Sequence, residues 1–256
     1  MEKEGKYIYG IIETQQERNF GVLGVGQVGN EVLTIGCDDL SMVVSNYPIR
    51  NITASKDNLL SHQRVIEQVM QEYDTLLPVR FGTLAHSADE VRNLLGRRRR
   101  EFKTALRDMD HKIELGVKAV WKDMESIFSE IVAQREDIKQ LKDQIVNTPV
   151  HQQSKAINKV GRLVQEALQE KKDTEADALV DALRRTACDH RLNATQGDAM
   201  FMNAAFLVDK GREKEFDNIM DDLSEDYGDR VRFMYAGPLP IFNFVNIVIC
   251  PEEWEK

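Results

Sequence analysis

The sequence is short of cysteine and of basic charge, and each shortage argues against a class of protein. Its 3 cysteines, Cys37, Cys188 and Cys250, lie far apart and form no Cys-x-x-Cys pair. We therefore expect reduced thiols in the cytoplasm, and neither a disulfide framework nor a cysteine-based zinc site. The 34 Lys and Arg residues are outnumbered by 43 Asp and Glu residues, giving a net charge of -9. That balance argues against nucleic acid as a partner, since nucleic-acid-binding domains are usually basic.

Long hydrophobic runs are also absent. No stretch approaches the roughly 18 consecutive apolar residues of a transmembrane helix, and residues 1–6 lack the apolar core of a secretory signal. Hydrophobic residues make up 42% and charged residues 30% of the 256-residue chain, which is a globular composition. We expect a cytoplasmic protein without membrane contact, built as one large domain or two modest ones.

Metal-binding and catalytic patterns are missing as well. The five histidines follow none of the usual zinc-site spacings. The acidic residues between positions 217 and 229 lack the alternating ligands and central glycine of an EF-hand loop, so they favour a solvated helix face. No serine or cysteine has an obvious base at a suitable spacing. The sequence therefore predicts no catalytic residues, no metal and no cofactor.

One glycine-rich motif, GVGQVG at residues 24–29, matches the pattern G-x-G-x-x-G. In dinucleotide-binding proteins this motif opens a helix that holds a pyrophosphate, and an acidic residue follows about twenty positions later. Here residues 31–36 favour a strand, and no Asp or Glu lies between Leu40 and Lys56. We therefore favour tight turns and close strand packing over nucleotide binding.

The first part of the chain predicts a mixed α+β domain, residues 1–110. Ser55 is a suitable N-cap for a helix reaching about Tyr73, and Ser87 with Glu90 forms a capping box for a helix reaching about Met109. Alternating or continuous apolar patterns predict strands at residues 6–13, 20–23, 31–35, 40–45 and 76–81.

The remainder predicts a second domain, residues 111–256. Its predicted elements are a strand (114–121), a helical hairpin or one bent helix (about 123–187), strands (188–194 and 200–208), a helix (211–222), a strand (231–236), a turn (237–240) and a last strand (241–249). This order is the split β-α-β plan with an enlarged first crossover. The predicted fold class is α+β, with a mixed α+β N-terminal domain and a modified ferredoxin-like C-terminal domain that carries a long helical insertion.

The helical insertion has a 3-4 apolar repeat from Met124 to Ile145, interrupted at Gln134. Packing of this stripe within the hairpin is the first interpretation. Docking of a partner helix, or self-association, is the alternative.

Three segments are candidate contact surfaces. Arg80 lies among apolar residues, so it either forms an internal ion pair or makes a partner contact together with Phe81. The basic run Arg97, Arg98, Arg99 and Arg100 is either a solvated helix face or a contact for an acidic protein, with RNA and anionic lipid as further options. The aromatic, proline-containing end predicts core with an exposed rim for partner contact, formed by Pro238, Leu239, Pro240 and Phe242.

Several phrases, in order along nearly the whole chain, resemble the gas vesicle protein F/L family. They are YIYGI (7–11), LPVRFGT (77–83), the looser ELGVK (114–118), NAAFLVD (203–209), FD (216–217), GPLP (237–240) and FV (244–245). Leu115 stands where the family more often has an aromatic residue.

The resemblance implies a non-enzymatic protein needed to build the gas-filled shells that give bacteria and archaea buoyancy. It would bind the major hydrophobic shell protein and other accessory gas vesicle proteins, as an assembly factor or a minor structural component, in the cytoplasm or on the gas vesicle. The residues alone leave two other classes open. One is a small-molecule-binding or catalytic ferredoxin-like protein, and the other is an RNA-associated protein.

Overall fold

The computed structural model describes residues 4–26, 30–146 and 153–249. His151, Cys250, the last half of the GVGQVG motif (27–29), residues 147–152 of the predicted helical hairpin and the side chain of Ile145 lie outside the described residues. The chain divides into two compact units, unit 1 (Met1–Glu114 with Pro238–Lys256) and unit 2 (Leu115–Gly237). In this division the residues after Gly237 group with the first part of the chain.

Unit 1 is built on a six-stranded sheet. Its strands are β1 (Glu4–Glu13), β2 (Asn19–Val22), β3 (Glu31–Cys37), β4 (Leu40–Pro48), β5 (Leu77–Pro78) and β6 (Leu84–Ala85). The order is β2-β3-β4-β1-β5, and β6 also pairs with β1. The antiparallel pair of β1 and β4 forms the centre, with Ile8 opposite Val44. The GVGQVG motif lies between β2 and β3, so a strand follows it and not the helix that a dinucleotide site requires.

The described part of unit 1 also contains the helices α1 (Lys56–Glu72), α2 (Ala88–Arg97) and α3 (Arg99–Asp108). As predicted, Ser55 accepts a hydrogen bond from the N–H of Asn58, and Ser87 accepts one from the N–H of Glu90. The predicted single helix up to Met109 is wrong, because the backbone leaves helical geometry at Arg98 (φ -101, ψ 16) and begins again at Arg99. The basic run therefore lies at a break between two helices.

The sheet of unit 1 is covered on both faces, which explains the almost continuous apolar run of β1. One core cluster joins Ile8 and Ile11 to side chains of α2 and α3, and the other joins Tyr7 and Tyr9 to side chains of α1. A bulge between Ile8 and Gly10 shifts the alternation, so that Ile8 and Ile11 share a face.

The strand predicted at 76–81 is shorter in the structure, because only Leu77–Pro78 pairs with β1. The N–H of Val79 still donates to the carbonyl of Tyr9 in β1, but Gly82 has a φ of 90, which turns the chain. Arg80 and Phe81 therefore lie in a turn after β5 and not within a strand.

Unit 2 contains a four-stranded sheet and a long helical insertion. Its elements are β7 (Lys112–Trp121), α4 (Met124–Gln134), α5 (Glu136–Val146), α6 (Gln153–Leu183), β8 (Ala187–Leu192), β9 (Met200–Asp209), α7 (Glu213–Tyr227) and β10 (Val231–Leu239). The sheet order is β10-β7-β9-β8. The first residues of β7 and the last of β10 belong to unit 1.

The apolar repeat of the insertion is divided between α4 and α5, which are separated at Arg135. Ile127, Ile131 and Ile138 are buried, and both helices contact α6. The described part of the stripe thus packs within the chain, as the first interpretation expected, and the surface for a partner helix is covered there.

The end of the chain differs most from expectation. The predicted turn at 237–240 is wrong, because β10 continues to Leu239, and residues 241–249 form no strand. Pro240 ends the ladder, and the N–H groups of Phe244 and Val245 both donate to the carbonyl of Ile241 in a turn. Ile247 and Ile249 nevertheless pack into the core cluster beside α2 and α3. We name residues 240–249 the C-terminal strap.

Candidate functional site

Three polar contacts hold the C-terminal strap on unit 1. The backbone N–H and the side-chain amide of Asn243 donate to the carboxylate of Glu114, at 2.9 and 2.6 Å. Arg80 Nη2 donates to Asn246 Oδ1 at 2.8 Å, and Arg98 Nη1 donates to the carbonyl oxygen of Val248 at 2.7 Å. Two of the predicted contact residues, Arg80 and Arg98, thus hold the same segment.

Among the described residues, Arg80 has no carboxylate partner that would make the internal ion pair of the first interpretation. Its guanidinium binds the amide oxygen of Asn246 instead of a carboxylate, and the residue is exposed. The turn that carries it places the head group at the surface, where water removes the need for a charged partner.

Glu114 is the buried acid of this region, with only 4% of its surface exposed. Burial raises the pKa of its carboxyl, and the two hydrogen bonds from Asn243 act in the opposite direction. The buried carboxyl group of Glu114 therefore binds the strap by accepting hydrogen bonds from neutral amide groups.

An aromatic cluster lies beside this segment, centred on His62. The ring of Phe81 meets His62 edge-on at 5.7 Å between centroids, and the ring of Phe242 stacks on it at 6.3 Å. His62 Nδ1 lies 2.8 Å from the hydroxyl of Tyr7, which also accepts the N–H of Gly82 at 3.1 Å. Phe81 and Phe242, singled out separately in the sequence, are brought together here.

His62 is neutral at physiological pH. Burial lowers the pKa of its imidazole to about 4, against a smaller opposing effect of the Val79 backbone. Its Nε2 has no hydrogen-bond partner of regular geometry in the described part of the chain, and the residue is 4% exposed. A buried neutral imidazole between aromatic rings packs the core and offers no accessible base.

The surface of this region is apolar at two strap positions. Phe242 is 40% exposed and Val248 is 50% exposed. Of the other residues predicted at this end, Pro238 is exposed, Leu239 is half-buried and Pro240 is buried. The expected combination of core and exposed rim is therefore present, although in a strap and not in a strand.

The basic run separates into two parts. Arg98 pairs with Glu101 at 2.5 Å and lies 5.0 Å from the ring of Phe102, and Arg99 pairs with Asp39 at 2.8 Å. Lys103 also pairs with Asp39, so these cations help to lower the pKa of the Asp39 carboxyl. Arg97, Arg99 and Arg100 line an open groove with Lys103 and Arg107, which we name the cationic groove, and Glu13 lies in the same lining.

Unit 2 holds an ionic network that the sequence did not indicate. Arg230 Nη2 donates to Glu130 at 2.9 Å and to Glu175 at 2.8 Å, and Lys171 lies 3.0 Å from Glu130. Trp121 Nε1 donates to Glu175 at 2.7 Å. The Arg230 guanidinium, followed by Lys171, lowers the pKa of Glu130 to about 2.

Sequence reasoning missed Glu114, His62 and the two asparagines of the strap as members of one region. The available signal was a polar residue inside each apolar run: Glu114 in β7, and Asn243 and Asn246 in the strap. Within the described ranges, no group of three or more His, Cys, Asp or Glu side chains could hold a metal ion. None of the described helices is both long and apolar enough to cross a membrane.

Comparison with known proteins gives one consistent family. The model of the family described as "Gas vesicle synthesis protein GvpL/GvpF" matches residues 5–246. Gas vesicle protein F1 of Halobacterium salinarum is 27% identical over 253 residues, covering 98% of this chain and 97% of the relative. Gas vesicle protein F of a Nostoc species is 25% identical over 250 residues, covering 95% and 98%.

Solved structures agree on the fold. The crystal structure of the gas vesicle protein GvpF from Anabaena sp. PCC7120 has a TM-score of 0.82 and 24% identity, covering 96% of this chain and 100% of that one. The GvpF structure from Microcystis aeruginosa has a TM-score of 0.78 and 23% identity, covering 95% and 99%. The predicted α+β class and the predicted family are confirmed: the chain belongs to the gas vesicle synthesis protein GvpL/GvpF family.

Proposed function

We propose that this protein is a non-enzymatic assembly factor or minor structural component of gas vesicles, which binds the major hydrophobic shell protein and other accessory gas vesicle proteins. The family match over residues 5–246 carries the proposal. The relatives are named gas vesicle proteins F and L, and these names describe no enzyme. The protein acts in the cytoplasm and at the gas vesicle surface.

The C-terminal strap and the turn before β6 form the proposed contact for the shell protein. Phe242 and Val248 supply exposed apolar surface, and Arg80 with Phe81 supplies a cationic and aromatic rim, the composition of many interface centres. A hydrophobic shell subunit needs such cover before assembly, since exposed apolar strands aggregate.

The cationic groove is the proposed contact for an acidic accessory protein. Arg97, Arg100 and Arg107 are exposed there, on a chain whose net charge is -9. This local reversal of charge favours an acidic partner surface through complementary potentials.

We also propose that the chain folds as two domains that join near residue 110, with the strap added to the first. The strand order β10-β7-β9-β8 supports a ferredoxin-like plan for the second domain, because the first and third strands lie at the centre. The helices α4, α5 and α6 occupy the first crossover of that plan.

Co-expression with the major shell protein, followed by affinity capture, tests the function. We expect capture of the shell protein, and loss of flotation when the gene is deleted. Phe242→Asp should reduce capture, because it places a charge in the apolar surface of the strap. Leu192→Asp is the matched control, since Leu192 is 57% exposed and lies in unit 2. Failure to recover any gas vesicle protein, with flotation intact after deletion, would reject the proposal.

A further inference from the structure

Strand β10 offers an open sheet edge. The order β10-β7-β9-β8 gives β10 a single neighbour, so its outer side is unpaired within the described part of the sheet. Backbone N–H and C=O groups along such an edge can pair with an added strand. Proteins usually protect these edges with charged residues, prolines or bulges.

The middle of β10 lacks that protection. Met234 and Tyr235 are 41% and 39% exposed, and Ala236 and Gly237 are exposed as well. Charge is present only at Arg232, and proline only at Pro238. Residues 233–237 between them are uncharged, over a length close to that of an ordinary strand of roughly 5–6 residues.

A stripe of acidic side chains on α7 flanks this edge. Glu213, Asp217 and Asp221 follow at intervals of about one helical turn, so they share a face of the helix. The hydroxyl of Tyr235 donates to Asp217 Oδ1 at 2.6 Å, which fixes the stripe beside β10. All three carboxylates act with burial, the largest cause, to raise the pKa of the Tyr235 hydroxyl.

We propose that the outer edge of β10 accepts an extended segment of a partner protein in which apolar residues alternate with Lys or Arg. The added strand pairs with the β10 backbone, its apolar side chains cover Met234, and its basic side chains face the acidic stripe. Charge complementarity decides against a second copy of this chain, because pairing β10 with β10 would bring two acidic stripes together. The surface consists of residues other than those of the strap, so the inference goes beyond the proposed shell contact.

The probe is a synthetic peptide of about eight residues that alternates Lys and Val, a length that covers one strand. Its binding is measured by fluorescence anisotropy, and its position by amide hydrogen exchange of residues 231–237. We expect binding that weakens as salt rises, together with slower exchange along β10. A peptide that alternates Glu and Val should not bind.

Two neighbouring charge reversals provide a matched pair. Asp221→Lys should weaken binding of the Lys-Val peptide about fivefold, because it reverses a charge of the stripe. Asp222→Lys changes the net charge equally on an exposed neighbour that is not among the groups acting on Tyr235, and should weaken binding less than about twofold. Met234→Lys, at an exposed edge position, should also weaken binding without unfolding the chain.

The proposal would be overturned if Asp221→Lys and Asp222→Lys lose the same amount of peptide affinity, or if the peptide binds without slowing the exchange of residues 231–237. Either result would indicate general attraction of the peptide to an acidic protein. Protection of β10 that depends on protein concentration alone would assign the edge to a second copy and would also overturn it. Because the peptide is synthetic, these results are independent of whether gas vesicle proteins are captured in the test of the proposed function.

Discussion

The C-terminal strap of unit 1 and the helical insertion of unit 2 are both fastened by polar side chains, but they use charge in opposite ways. At its buried contact the strap binds the acid Glu114 through the neutral amides of Asn243, beside the neutral imidazole of His62. The cations Arg80 and Arg98 bind the strap as well, but at the uncharged oxygens of Asn246 and Val248. The insertion is held by Arg230 and Lys171 between two carboxylates, Glu130 and Glu175. We therefore expect low pH to destabilise the region of the strap, and high salt to weaken the ionic network of the insertion.

Burial explains the difference. Glu114 and His62 are each 4% exposed, and charged groups in such places are costly. The side chains of Arg230, Glu130 and Glu175 are 35%, 31% and 25% exposed, so water still solvates them. Partial exposure lowers the cost of keeping these side chains charged, but it also lets salt screen the attraction between them.

The largest expected difference between the two regions is a loss of stability of unit 1 in mildly acidic solution. His62 has a pKa lowered from 6.5 to about 4 in the folded chain. The unfolded chain therefore binds this proton first, so stability falls as pH falls from about 6.5 to about 4, by about 3 kcal/mol. Hydrogen exchange in residues of unit 1, measured across this range, should show the loss.

The control is His62→Gln, which can still hydrogen-bond to Tyr7 but does not titrate. Its stability should change much less between pH 6.5 and pH 4, the range that His62 sets. Glu114 acts in the opposite direction, since a raised carboxyl pKa gives stability at low pH that is lost as pH rises. If the stability of His62→Gln depends on pH as strongly as that of the original chain, another group causes the loss of stability of unit 1 in acid.

The second prediction removes the acid that holds the strap. Glu114→Ala should destabilise the chain by about 2 kcal/mol, because it opens a cavity and deprives Asn243 of its acceptor. The exposed Asn243 regains water, which keeps the loss moderate. Urea unfolding gives the free energy, and faster hydrogen exchange in residues 241–249 would show that the strap is released.

Glu114→Gln is the matched variant for that experiment. It keeps the size of the side chain and one acceptor oxygen, so we expect roughly half the loss. If Glu114→Ala leaves exchange of the strap unchanged, the buried apolar side chains Ile247 and Ile249 hold it without Glu114.

These two regions also show what the sequence could and could not predict. Local patterns predicted the N-caps Ser55 and Ser87 and the strands β1 and β9, because capping and apolar periodicity depend on neighbouring residues. The strap was predicted as a strand because its apolar residues are equally suited to packing without a ladder. The groups that hold it, Glu114 for Asn243 and Arg80 for Asn246, lie far away in the sequence.

The sequence singled out some residues of the candidate site but not the region that they form. Phe81 and Phe242 were singled out in separate segments, and only the fold places both rings on His62. Arg98 likewise has a partner far away in the sequence, since its guanidinium binds the carbonyl of Val248. Contacts between residues far apart in sequence leave no local pattern to read.

The smallest expected effect tests the charged side of the comparison. Arg230→Ala should destabilise unit 2 by about 1 kcal/mol at low salt, because Glu130 and Glu175 lose their shared partner but stay partly solvated and keep Lys171. Urea unfolding at low and high salt gives the loss, and fluorescence of Trp121, which binds Glu175, gives a local signal. High salt should reduce the loss for Arg230→Ala but not for Glu114→Ala, since screening acts on solvated charges and not on amide hydrogen bonds. Equal salt dependence in the two variants would show that both regions are held by the same kind of interaction.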